Sequence, residues 1–286
     1  TTRDNETNSG SFAYDVGTIT FTVASSIVLV NDTDSVNENE TVTKTGSQDD
    51  VLNDDAADTN GIRVTNIKKP GTMNFFVTPG TTYLDGTSYP GTYGTLTIGA
   101  DGSYTYIANS SSAEALPAGG DPVTDTFTYT VDSVAEATLI ITVTGVNDAP
   151  VGVADTDAVE ISNTVTDATN SAGTVISDDT DADASSSLTV TAIQHSGAGS
   201  STSVSAGTTR ANGASSSGTY GTLTIGADGS YSYVAGSSTG TDVFTYTVSD
   251  GTATTTTTLT ITVGASNNAP SAVADTDSVN EDATVT

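Results

Sequence analysis

The chain contains no cysteine and no tryptophan, a single methionine, and only 6 lysines and arginines against 35 aspartates and glutamates in 286 residues. Without cysteine there is no disulfide framework, no thiolate zinc site and no cysteine nucleophile, so any extracellular stability has to come from packing or from metal ions. The formal charge of −29 repels phosphate backbones and anionic lipid headgroups, and Lys68-Lys69 is the only adjacent basic pair. Nucleic-acid binding and electrostatic membrane docking are thereby excluded. No stretch approaches the roughly 20 apolar residues of a membrane span. The first residues lack a charged start followed by an apolar core, so a secretion signal is expected to be encoded elsewhere. Divalent cations are the natural partners of a surface on which nearly every charge is an acid.

What is abundant is threonine, with 57 residues. Helix formers are scarce and β-branched residues dominate, which predicts an all-β chain. The apolar residues alternate in short runs bounded by Gly, Asn and Asp, a pattern that specifies sheets rather than disorder.

Internal repetition is the strongest signal. Tyr93 to Tyr106 reads YGTLTIGADGSYTY and Tyr220 to Tyr233 reads YGTLTIGADGSYSY; DTFTYTV at Asp125 matches DVFTYTV at Asp242; Asn147-Asp-Ala-Pro150 matches Asn267-Asn-Ala-Pro270. The offsets of 127, 117 and 120 residues give a period near 120 with drifting loop lengths. A third phrase sets the frame: DTDSVNE at Asp32, DTDAVE at Asp155 and DTDSVNE at Asp275 each open a domain. The expected organisation is residues 1–30 as closing strands of a preceding repeat, complete repeats at 31–148 and 149–268, and 269–286 as the opening strand of a following one.

Within the first copy, alternating runs at 35–44, 61–68, 73–78, 93–98, 103–107, 124–131 and 137–143 predict about seven strands, the count of an Ig-like sandwich. Ala100-Asp-Gly-Ser103 and Ala227-Asp-Gly-Ser230 predict hairpin turns of type I′ built on Asp-Gly. Tyr104, Tyr106, Phe127 and Tyr129 alternate as core and edge packing, with sugar stacking as the competing reading. His195, in a Gly/Ser-rich stretch with no evident counterpart in the other copy, is expected in a loop.

The combination of YGTLTIGADGSYTY, DTFTYTV and GVNDAP followed by a Val-Asn-Glu opening strand resembles the VCBS or bacterial cadherin-like repeats of large bacterial surface adhesins. The resemblance implies tandem Ig-like, cadherin-like β-sandwiches in an elongated array. It also implies a secreted or cell-surface stalk or matrix fibre, stiffened by calcium at its inter-domain junctions. Two departures weaken the metal case at their own junctions: Glu160-Ile-Ser-Asn163 stands where Asn-Glu-Asn or Asn-Glu-Asp occurs at 37–39 and 280–282, and Asn267-Asn268 stands for Asn147-Asp148.

Calcium takes six to eight oxygen ligands, and carboxylates at alternate loop positions can converge on one ion. Asp179, Asp181 and Asp183 have that spacing, and the acidic loop at 49–58, with Asp54, Asp55 and Asp58, occupies the corresponding place in the first copy. The competing reading is a merely solvated acidic loop. The junctions add Asn31, Asp32 and Glu38 at the first, Asn147, Asp148, Asp155 and Glu160 at the second, and Asn267, Asn268, Asp275 and Glu281 at the third. A polar linker stiffened by Pro150 and Pro270 accounts for these residues equally well.

Catalysis has little to draw on, since no aromatic-lined cleft accompanies the paired acids and no phosphate-binding glycine loop occurs. The alternative to a stalk is a ligand-binding module that recognises a glycan or surface protein through the long 108–124 loop, which carries Glu114 and Asp121. The segments at 12–30 and 279–285 read as strands without bodies, which predicts either continuation into neighbouring repeats or head-to-tail fibres in which the opening strand of one copy adds to another.

Overall fold

The computed structural model describes residues 27–46, 49–55, 61–167, 173–184, 186–267, 270–282 and 284. In the first domain these form β1 (Asp32–Asn37), β2 (Thr41–Lys44), β3 (Val64–Lys68), β4 (Phe75–Phe76), β5 (Thr87–Pro90), β6 (Thr95–Ile98) and β7 (Tyr104–Ile107). A short helix α1 (Ser111–Glu114) follows, then β8 (Val123–Val131) and β9 (Ala135–Thr144). The second domain repeats the series as β10 (Asp155–Glu160), β11 (Thr164–Thr166), β12 (Thr189–His195), β13 (Thr202–Ser203), β14 (Ala214–Ser217), β15 (Gly221–Ile225), β16 (Tyr231–Ala235), β17 (Gly240–Ser249) and β18 (Thr254–Gly264).

Each domain is a sandwich of two sheets. The first pairs the order β1-β9-β8-β3-β4 with β2-β7-β6-β5, and the second pairs β10-β18-β17-β12-β13 with β11-β16-β15-β14. In both, the opening strand lies parallel to the closing one, Asp32 opposite Leu139 and Asp155 opposite Leu259. This is the Ig-like, cadherin-like architecture. The period-2 pattern produces it: Phe127, Tyr129, Leu139 and Ile141 face inward with no exposure, as do Phe244, Leu259 and Ile261, while threonines line the outer face.

The run 35–44 is not one strand. Its two halves join different sheets across a corner at Asn39, which has φ 61°. Alternation of side chains cannot reveal a strand that changes sheets, because both halves keep the same period. The run at 73–78 contributes only the two residues of β4, and β5 is a strand that the sequence pattern missed. The Asp-Gly hairpins are tight, but not type I′. Gly102 (φ 87°) and Gly229 (φ 74°) are in the left-handed region while the aspartates before them are not, so each turn is a three-residue loop closed by Gly99 N–H to Ser103 C=O or Gly226 N–H to Ser230 C=O. Asp101 and Asp228 are turn formers, each accepting from the backbone N–H and hydroxyl of the serine two residues on.

The most repeated phrase has a structural explanation. Asp125, buried at 1% exposure, accepts from the N–H groups of Thr92 (2.7 Å) and Tyr93 (2.9 Å) and from the Tyr106 hydroxyl (2.6 Å). Asp242, fully buried, takes the same three bonds from Thr219, Tyr220 and Tyr233. The Gly-Thr-Tyr-Gly turn is thus pinned to the strand beneath by one carboxylate. Burial alone would raise these carboxyls, but the hydrogen bonds, with Lys69 beside one and His195 beside the other, hold both below the usual range. His195 is therefore not a loop residue without a counterpart. It ends β12, its Nε2 is 3.2 Å from Asp242, and it occupies the place of Lys69, whose Nζ is 3.6 Å from Asp125.

A Cβ on Gly218 would meet the Asp242 Oδ2 at 2.1 Å, and one on Gly91 would meet the Asp125 Oδ2 at 2.0 Å. Gly218→Ala is expected to destabilise the second domain by about 2 kcal/mol. Gly264→Ala, where nothing lies within 4 Å of an added Cβ, is the control and should be near neutral by thermal melting.

Candidate functional site

The carboxylates singled out in the sequence fall into three structural groups, and these differ from the grouping by sequence position. The first is the entrance of the first domain. Asp32 begins β1, its Oδ2 accepts from the Tyr129 hydroxyl at 2.8 Å, and the Val30 N–H donates to Asp55 Oδ1 at 2.8 Å. Ile27 and Leu29 pack against the first core. Residues 27–30 therefore lead into this sandwich rather than closing an earlier one; residues 1–26 lie outside the described residues. Asn31 is spent on the backbone, its Oδ1 accepting from Thr138 N–H. Asp54 lies close enough to raise both Asp32 and Asp55 by repulsion. Asp58 lies outside the described residues.

The entrance of the second domain repeats this arrangement. The Tyr246 hydroxyl is 2.7 Å from Asp155 Oδ2, and the Val153 N–H donates to Asp179 Oδ1 at 2.6 Å. Asp178 adds repulsion to both carboxyls. Here the linker is ordered by pairing, since Val151 and Thr180 exchange both backbone hydrogen bonds.

The second group lies between the domains. Six residues of β1, about 3.3 Å each, carry Glu38 away from Asp32 to the far end of the sandwich, so it belongs with the second junction and not with Asn31 and Asp32. There the Val146 N–H donates to Glu38 Oε1, the Asp148 N–H to Asp183 Oδ2 (2.9 Å), and the Asp183 N–H to Asp181 Oδ1 (2.9 Å). Asn147 faces away, donating to Asp250 Oδ2 at 2.9 Å and so tying the linker to the second domain. One residue of this group was assigned by sequence to the candidate ligand-binding loop and not to the junction. Glu114, on α1, is close enough to raise both Glu38 and Asp148. The helix starts at Ser110, whose hydroxyl caps the Ala113 N–H, and its C-cap residue Ala115 accepts from the Ala184 N–H of the second domain. The 108–124 insertion therefore braces the junction.

The third group is largely dispersed. Glu160 is displaced by one residue from the place expected of it. Its register position, opposite Gly264, corresponds to Asn37 opposite Thr144, so the counterpart of Glu38 is Ile161, which packs on the second core. A one-residue slip in a strand puts a side chain on the opposite face. Asn267, Asp275 and Glu281 are exposed, residues 270–282 form no strand, and Asn268 lies outside the described residues. The opening strand expected at 279–285 is therefore not formed in its described part.

The electrostatics single out the two domain entrances and the junction. Six buried side-chain oxygens among the described residues have no hydrogen-bond partner, and all are carboxylate oxygens of these groups: Asp55 Oδ2, Asp179 Oδ2, Glu38 Oε2, Asp148 Oδ2, Asp181 Oδ2 and Asp183 Oδ1. Glu38 is 1% exposed and Asp183 6%. Burial, reinforced by repulsion from neighbouring acids, pushes Asp32 up to about 7 and Asp155 up to about 6, and raises Glu38, Asp55, Asp148 and Asp179. As they stand, no three such side chains among the described residues are gathered closely enough to chelate an ion. Carboxylates that have one oxygen held by a backbone N–H and the other left unpaired are nevertheless the donor chemistry a hard cation requires.

A pH dependence follows. Carboxyls with pKa values raised on folding bind more protons folded than unfolded, so their contribution is present below the ordinary value of 3.8 and is lost as pH rises through 6 to 7. In chelator, the melting temperature is expected to be lower at about pH 8 than at about pH 5; an increase over that interval would contradict the burial argument.

Residues 147–265 match the family model of the bacterial cadherin-like domain. No curated protein matches the chain. Solved structures similar to it include Drosophila N-cadherin EC1-4, with 11% identity over 82% of this chain and 49% of that one (TM-score 0.39). PcdhgB3 EC1-4 has 13% identity over 82% and 49% (TM-score 0.33). The endo-fucoidan hydrolase MfFcnA4, from glycoside hydrolase family 107, has 15% identity over 84% and 29% (TM-score 0.25). The chain thus spans half or less of these structures. Superpositions this loose leave the fold class to the strand order and the family match. No described helix is long and apolar enough to cross a membrane.

Proposed function

We propose that this chain is a segment of an extracellular stalk or fibre, structural rather than catalytic, in which cations bound at the domain junctions turn a string of sandwiches into a rod. The observation that carries this reading is the set of buried, unpartnered carboxylate oxygens on Glu38, Asp148, Asp181 and Asp183, which come from the first domain, the linker and the second domain. Glu38, Glu114, Asp148, Asp181 and Asp183 would hold one ion, and Asp155, Asp178 and Asp179 a neighbouring one. Bound there, Ca²⁺ would neutralise the mutual repulsion and supply the partner each oxygen lacks. The chain's own residues do the positioning: the Val146, Asp148 and Val153 N–H groups each fix one carboxylate oxygen and leave the other free.

Secretion and a cell-surface or matrix location suit the family match. Small-angle scattering tests the proposal. In millimolar calcium the two domains should scatter as one stiff body, and in chelator as a flexible pair with a smaller radius of gyration. Identical profiles in the two conditions would sink it.

A further inference from the structure

We propose that the Met73–Phe76 edge of the first domain is a self-association surface through which two copies of this chain pack side by side. The two domains provide an internal comparison. From residue 73 to residue 107 they align without a gap at an offset of 127, and the backbone is held alike. Val77 N–H bonds Thr65 C=O as Val204 N–H bonds Thr191 C=O, and the Thr81 hydroxyl bonds Thr78 C=O as the Thr208 hydroxyl bonds Ser205 C=O. The side chains differ where they meet solvent. Met73 (82% exposed), Phe75 (50%), Phe76 (82%) and Leu84 (79%) of the first domain correspond to Ser200, Thr202, Ser203 and Ala211 of the second. The fold does not require these apolar groups, since its second copy does without them.

The patch has a defined base. β4 is the outermost strand of its sheet, Phe75 stacks edge-on against Tyr89 with ring centroids 5.0 Å apart, and Tyr89 is tied to Thr72 at 2.8 Å. β4 is only two residues long and its Phe76 carbonyl already accepts from the Thr87 hydroxyl, which leaves little backbone for strand addition, so the contact is one of side chains.

Charge and area select the occupant. A chain of −29 repels its own copies over most of its surface. Three of its six basic residues, Arg63, Lys68 and Lys69, lie on or beside β3 next to this edge, each paired with an acid. The edge is therefore an electrically balanced island where two copies can approach. Met73, Phe75 and Phe76 together expose on the order of 400 Å² of largely apolar surface. A two-fold contact would bury about twice that in total, roughly 800 Å², the scale of a weak, transient association and far short of a permanent one.

Sedimentation velocity of the full chain tests this. Weight-average mass should rise towards that of a dimer between about 10 µM and 1 mM, more steeply in high salt, which screens the repulsion. The rise should occur in calcium and in chelator alike, which separates this surface from the junctions. The variant M73S/F75T/F76S, which installs the second domain's own residues, should remain monomeric at every concentration. Phe76→Glu, a single exposed change, should do the same if the triple variant folds poorly. A wild-type chain that stays monomeric throughout, or variants that associate as the wild type does, would overturn the proposal.

Discussion

Replacing Asp242 with alanine is expected to melt the second domain well before the first, splitting the thermal transition in two. The carboxylate is fully buried and accepts from two backbone N–H groups and the Tyr233 hydroxyl, with the His195 Nε2 3.2 Å away. Alanine leaves the donors unsatisfied in a dry environment and releases the Gly218–Gly221 turn. A loss of about 4 kcal/mol is the usual cost of breaking such a buried network. That is a large share of the 5–15 kcal/mol that stabilises a typical domain, equivalent to roughly 15–25 °C for one near this size. Asp125→Ala should move the other transition, because the two networks share no residues. Asp242→Asn should cost less, since its amide oxygen still accepts. A shift below about 1 kcal/mol for the alanine variants, read by calorimetry, would show that the turn does not depend on its carboxylate.

Calcium should shift the same melting curves in the opposite direction. Extracellular modules bind it with Kd of about 10⁻⁴ to 10⁻³ M. At about 10 mM each ion that binds only the folded state then adds roughly 1.4–2.7 kcal/mol, and one at the junction together with one at the second domain's entrance about 3–5 kcal/mol. The double variant D181N/D183N should reverse sign with conditions. In chelator it removes repulsion between buried acids and should melt at or above the wild type; in calcium it should lose most of the shift. A variant less stable than the wild type in both conditions by the same amount would mean that these carboxylates serve the fold and not an ion.

The fold was largely legible because strand periodicity and turn residues are local signals, repeated twice. The sandwich, the inward Phe and Tyr residues and the turn-forming role of Asp101 follow from them directly. What was not legible depends on three-dimensional register. Glu38 reads as a neighbour of Asp32, yet an extended strand separates them and the corner at Asn39 turns it into the junction. Glu160 reads as its counterpart, yet a slip of one residue puts Ile161 there instead. Glu114 reads as part of a ligand-binding loop, and its place at the junction was hidden because comparing repeats favours what they share, while its helix has no equivalent in the second copy. Its only signal is Ser110 followed by Ala113, Glu114, Ala115 and Leu116, a short group of helix formers in a chain otherwise poor in them. His195 was misplaced for a similar reason. Its counterpart is a lysine, and the role they share, a side-chain nitrogen beside a buried aspartate, is invisible until the aspartate's burial is known.

Since Ile161 takes the place of Glu38 at the far end of the second domain, ion-dependent stiffening should be strongest between the two domains seen here. A crystal structure grown in calcium, with anomalous difference density measured across the junction, tests this most directly. The account predicts a peak at about 2.3–2.6 Å from Glu38 Oε2, Asp148 Oδ2, Asp181 Oδ2 and Asp183 Oδ1. An ordered junction without such a peak, its carboxyls paired by shared protons or bridged by water alone, would contradict it.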